Sequence, residues 1–106
     1  MREFNSYYAW HMQKKAEFMA QALRKKHFIV EVAKTSQEAK KILLSMIPEG
    51  SSITLGGSQT VVQLDVLDEL RSDRYKLIDR YSDKCKEGPD YHFGVLREGL
   101  LADVMI

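Results

Sequence analysis

The chain of 106 residues contains one cysteine, Cys85. That scarcity excludes an internal disulfide, a CxxC redox pair and an iron–sulfur cluster ligated by this sequence alone, and it suits a reducing cytosol. Charge of one sign is equally lacking. Sixteen Lys and Arg stand against fifteen Asp and Glu, a formal +1, so no global field gathers nucleic acid or an anionic membrane surface. The three histidines, His11, His27 and His92, show neither HxxxH nor HxH spacing, and neither a metal nor a cofactor is expected from them. No apolar run approaches the ~20 residues that cross a bilayer, and the opening MREFNSYYAWHMQKK lacks the apolar core of a secretory signal. A soluble, cytoplasmic protein is the expectation. A Walker loop ending in GKS or GKT is missing, as is GxGxxG, which disfavours nucleoside triphosphate hydrolysis. There are no repeats, low-complexity tracts or linkers, and a chain of this length suits a single domain that buries roughly 60 to 70% of its unfolded surface.

What is present is an alternation of two periodicities. From Phe4 to about Lys26 apolar residues recur as Tyr8, Met12, Ala16, Met19, Ala20 and Leu23, one stripe of a long first helix. Tyr7, Trp10 and Phe18 lie off that stripe and extend its apolar surface. They are either core or a contact with another subunit, where aromatics are enriched. FIVEVA, residues 28–33, is a compact β-branched run that predicts a strand. Thr35-Ser36-Gln37-Glu38 has the form of a capping box, in which the Thr35 hydroxyl accepts from the Glu38 amide and the Glu38 side chain reaches back. A helix burying Ala39, Ile42, Leu43, Met46 and Ile47 follows, and Pro48-Glu49-Gly50 ends it.

Ser52 to Leu55 predicts a second strand. Val61, Leu64, Leu67 and Leu70 predict a third helix from about Gln59 to Ser72, Tyr75 to Ile78 a third strand, and Tyr91 to Leu100 a weaker helix beyond the polar stretch YSDKCKEGPD. Ala102 to Ile106 completes the series as an apolar fourth strand. Such alternation belongs to an α/β fold with a mostly parallel sheet covered by helices. The terminal strand, with no polar stop, reads as an exposed edge or an interruption, and a fold cut short after its fourth strand is the expectation.

The stretch ITLGGSQT, residues 53–60, holds the main candidate site. In open α/β sheets ligands gather beyond the carboxyl ends of strands, where loops lead into helix N-termini. Gly56 and Gly57 allow close backbone approach, Ser58 suits an N-cap, Thr60 adds a hydroxyl, and first-turn amides carry partial positive charge. Together they form a cradle for a phosphate or carboxylate. The alternative is a sharp turn whose Ser58 only caps its own helix.

The blocks ILLSMIPEGSSITLGGSQT, LDVLDELR, YKLIDR and LLADVMI, in that order, resemble the lactate-utilisation (LUD) domain family. The resemblance implies a three-layer α/β/α fold of the NagB, ribose-5-phosphate isomerase and CoA-transferase group, and a ligand loop made of Gly56, Gly57, Ser58 and Thr60. It also implies a link to bacterial lactate or organic-acid metabolism. Two departures accompany it: family domains continue past the LLADV strand into a second half, and the acidic residues common after the GGS-T motif are replaced here by Val61, Val62 and Gln63.

Asp79 and Arg80 sit where the third strand ends, beside the glycine corner if the two strands pair. Arg80 suits a carboxylate or phosphate, with Asp79 orienting it or acting as a base; a structural ion pair is the alternative. Cys85 lies between Lys84 and Lys86, a setting that favours thiol reactivity, but no histidine is placed to activate it. Lys14, Lys15, Arg24, Lys25 and Lys26 give the first helix a basic face that reads as solvated surface. The expectation is thus a domain that binds a small anionic metabolite at the corner, with Asp79 and Arg80 as weak catalytic candidates. The competing expectation is an assembly module that oligomerises, or docks on a partner subunit, through the first helix and the last strand. No nucleic-acid or membrane partner is expected.

Overall fold

The computed structural model describes residues 2–106, with side chains from Ser6 onward. Phe4, where the first apolar stripe begins, therefore lies outside the described side chains. The chain forms two compact units, one up to Ile42 and one from Leu43 to Ile106.

In the first unit α1 (Arg2–Lys25) is the long helix that the stripe predicts. Of the stripe, Ala20 alone is buried, whereas Tyr8, Met12 and Met19 are exposed. The helix ends where His27 turns left-handed, at φ 70°. There the Phe28 amide reaches back to the Leu23 carbonyl and the His27 amide to that of Arg24, satisfying carbonyls that no further turn of helix covers. Arg24 and Lys25 place positive charge at the negative end of the helix dipole.

FIVEVA forms no strand. Residues 28–33 have no ladder partner among the described residues, and Phe28 and Ile29 are 60% and 87% exposed. β-Branched residues favour an extended backbone, but a strand exists only where a neighbour supplies the other half of its hydrogen bonds. One local tie is the Arg24 guanidinium, which donates to the Val30 carbonyl at 2.8 Å.

α2 (Ser36–Ser45) starts as the capping box predicts, with the Thr35 hydroxyl accepting from the Glu38 amide at 3.1 Å. The reciprocal arm lands one residue early, since the Glu38 carboxylate accepts from the Lys34 amide. In the apolar run that closes this helix Ile47 is buried, but Met46 is exposed.

The second unit holds a parallel sheet of three strands rather than four: β1 (Ser52–Thr54), β2 (Lys76–Ile78) and β3 (Val104–Met105), in the order β2-β1-β3. Ile53 stands opposite Leu77 on one side and Val104 on the other. Before β3, Ser52 and Asp103 exchange bonds: the Ser52 amide donates to the Asp103 carboxylate at 3.0 Å, and the Asp103 amide to the Ser52 hydroxyl at 2.9 Å. This reciprocal pair sets the register of the edge strand.

Where one helix is predicted over residues 59–72 there are two, α3 (Gln59–Gln63) and α4 (Leu67–Leu70). The break is Asp65 at φ 57°, a left-handed conformation that aspartate tolerates better than most residues. Breaking the helix carries Val66, which is off the three-residue stripe, into the core beside Leu70; both are fully buried. These two, with Ile47, Ile53 and Leu55, form the core on one face of the sheet. On the other face α5 (Pro89–Gly99) approaches so closely at Gly99 that an added methyl group would overlap Thr54 Oγ1. Ile53 and Thr54 point to opposite sides of the pleat. The unit is therefore an α/β fold with helices on both faces of a parallel sheet.

Candidate functional site

Because β1 and β2 are parallel neighbours, the loops that follow them leave from the same edge of the sheet. The first is the glycine corner, Gly56 to Thr60, and the second carries Asp79 and Arg80. The pairing brings Arg80 to Gly57: a Cβ added at Gly57 would lie 3.0 Å from Arg80 Nη1. Gly57 is left-handed, at φ 88°, a conformation in which a side chain is strained.

The corner's own hydrogen bonds are partly committed. The Gly56 amide donates to the Ile106 carbonyl at 2.7 Å, continuing the β1–β3 ladder past its last paired residues. Ser58 is the N-cap of α3, its hydroxyl accepting from the Val61 amide at 3.4 Å. Val62 donates to the Ser58 carbonyl. For the amides of Gly57, Ser58, Gln59 and Thr60 no acceptor occurs among the described residues, as the open first turn of a helix requires. Beneath the corner, Leu55, Val61, Val62, Leu67, Tyr81 and Ile106 close together and leave no room for a water molecule. The open side of the corner is therefore the outer side of the loop, where Ser58, Gln59 and Thr60 are exposed.

Asp79 and Arg80 have different fates. One Asp79 carboxylate oxygen accepts from Arg71 Nε at 2.8 Å and the other from the Tyr81 amide at 2.9 Å. Both are consumed in holding the end of β2. The same hydrogen bond pushes the Arg71 guanidinium above its ordinary pKa, with the nearby charge of Asp79 adding to the effect. Arg80 has no carboxylate partner among the described residues. Its guanidinium is half-buried, 5.8 Å from the centre of the Tyr81 ring, with a long contact from Nη1 to the Leu55 carbonyl at 3.5 Å. A guanidinium carries five N–H donors, and that one contact at 3.5 Å is the hydrogen bond its side chain makes among the described residues.

The polar stretch after Arg80 gathers a second group of residues that no sequence spacing connects. A 3-10 turn (Asp83–Lys86) and α5 pack together, and an open cleft of about 410 Å³ lies between them, lined by Arg80, Tyr81, Ser82, Cys85, Lys86 and His92. Cys85 is tied inward, its thiol donating to the Asp79 carbonyl at 3.5 Å and accepting from the Ser82 hydroxyl at 3.4 Å. Among the described residues no three His, Cys, Asp or Glu side chains stand close enough to share a metal ion, and no helix is long and apolar enough to cross a membrane.

Compared with known proteins, residues 16–106 match the family model described as the LUD domain. No curated protein and no solved structure matches the chain.

Proposed function

Since the chain belongs to the LUD domain family, we propose that it serves lactate or related organic-acid utilisation by binding a small organic anion on the outer side of the Gly56–Thr60 corner, with Arg80 as the counter-charge. The observation that carries the reading is Arg80 itself, a half-buried cation without a carboxylate partner among the described residues, set against a left-handed glycine. The anion takes the guanidinium fork from one side and the open amides of Gly57 to Thr60 from the other, and Ser58 keeps its hydroxyl on the Val61 amide. In this reading Asp79 is a positioning residue and no acid–base role is assigned to it, because both its oxygens already hold Arg71 and Tyr81.

The test is a titration with lactate followed by calorimetry and by thermal unfolding. Removing one charge-assisted partner of an anion costs about 1.5–3 kcal/mol, so Arg80→Gln is expected to weaken binding by at least tenfold while leaving the melting temperature of the free protein nearly unchanged. Unaltered lactate affinity in that variant would remove the reading.

A second reading, assembly, is supported by apolar surface. On α1, Tyr7 and Phe18 are 69% and 71% exposed, and the Tyr7 ring lies 5.8 Å from that of Trp10. In the second unit Met105 is exposed on the edge strand β3, and Leu100 and Leu101 are exposed just after α5. Unpaired edges and exposed apolar patches are commonly covered by another chain.

A further inference from the structure

The cleft beside Arg80 is too large for the anion alone. At about 410 Å³ it falls within the range of about 300–1,000 Å³ typical of small-molecule sites. A molecule as small as lactate, held at Gly57, would leave it to water. Its walls are chemically one-sided: Arg80, Lys86 and His92 bring nitrogen donors, Ser82 a hydroxyl, and no carboxylate lines it. Of the acids that flank these residues in sequence, Asp79, Asp83 and Glu87, the first is held by Arg71 and the Tyr81 amide, and Asp83 reaches Lys86 only at 3.6 Å with both side chains largely in solvent, a pair too weak to hold the ammonium in place. Arg80 belongs to both places, lining the cleft and touching the corner.

We propose that this cleft is a phosphate subsite, and that the natural ligand is a small phosphorylated organic acid rather than lactate itself. Its phosphate lies among Arg80, Lys86, His92 and the Ser82 hydroxyl, and its carboxylate lies at the Gly57–Thr60 corner. A phosphate carries ≈ −1.5 to −2 charges at neutral pH and three acceptor oxygens, which matches donors arriving from three separate segments better than a planar carboxylate does. A guanidinium presents donors along two edges, so Arg80 can face both groups at once. Tyr81, beside Arg80, forms the apolar wall over which the carbon skeleton passes. The inference rests on the proposed function for the placement of the carboxylate, but not for the cleft.

The experiment titrates the whole chain with 3-phosphoglycerate, inorganic phosphate and lactate. It then repeats the titrations on the double variant Lys86→Gln, His92→Gln, whose fold is checked by circular dichroism. Lys86 is exposed and His92 half-exposed, so the substitutions leave the core intact. The expected result is that 3-phosphoglycerate binds about tenfold or more tighter than lactate, one charge-assisted partner's worth. The double variant is expected to lose that advantage while its lactate affinity stays unchanged. Equal affinities for the two acids in the native chain, or an advantage that survives in the double variant, overturn the phosphate subsite and leave the corner standing. Phosphate binding that depends on Lys86 and His92, with no lactate binding, supports the cleft and removes the corner. If none of the three probes binds, both are overturned.

Discussion

Two glycines show how differently one residue type is used in this chain. Gly57 is required by its backbone angle and by the guanidinium beside it, whereas Gly99 is required by the closeness of α5 to β1. Alanine at Gly57 incurs the left-handed penalty of about 1–2 kcal/mol and displaces Arg80, whose side chain can swing outward. Alanine at Gly99 meets Thr54, a β-branched side chain on the central strand, and overpacking of that kind costs about 1–3 kcal/mol. Chemical denaturation is expected to show both variants destabilised, with Gly99→Ala retaining the anion affinity of whatever fraction is folded and Gly57→Ala losing it. A Gly57→Ala variant of native affinity would argue that Arg80 is not part of the site. The Arg71–Asp79 pair makes a complementary point. Asp79 is an acid at the carboxyl end of a strand, the place where a catalytic base would be sought, and its geometry is that of a brace.

At the scale of elements, the chain's punctuation was easier to read than its pairing. The Thr35 cap of α2 and the strand leading into Gly56 are local chemistry, carried by neighbouring residues, and they occur, although Glu38 reaches the Lys34 amide instead of that of Thr35 and α2 already ends at Ser45, before Pro48-Glu49-Gly50. FIVEVA has the composition of a strand and forms none, because a strand is a property of two segments and composition speaks for only one of them. The broken third helix escaped for a related reason. The stripe Val61, Leu64, Leu67 and Leu70 is continuous in sequence, but core packing favours turning the chain at Asp65 so that Val66 is buried too. Leu70 is then the key side chain of α4, fully buried against Ile53 and Val66. Leu70→Ala is expected to lower unfolding free energy by about 2–5 kcal/mol, measured by urea titration. A change below 1 kcal/mol, on the order of an exposed substitution, would mean that α4 contributes little to the core. The cleft lay outside what the sequence could offer, since Arg80, Lys86 and His92 are unrelated by any helical or strand period and are brought together only by the packing of the 3-10 turn on α5.

For the molecule as a whole, the open question is what covers its apolar surface. The assembly reading carries a simple expectation: light scattering coupled to size exclusion at micromolar concentration should report a dimer or larger, and Met105→Lys should shift the population toward monomer, because a charge on an edge strand discourages pairing. A monodisperse monomer of about 12 kDa, the mass of one chain, would remove that reading and leave ligand binding untouched. The parallel sheet also has a consequence for how binding would be felt. β1 is bonded on both sides, while β2 has β1 on one side only. The corner is thus anchored in the strand whose amides should exchange with deuterium most slowly, and Arg80 hangs from one that opens more readily. A ligand clasped between them would slow exchange in the outer strand and barely alter the inner one, so the lopsided protection would register occupancy without any label on the ligand.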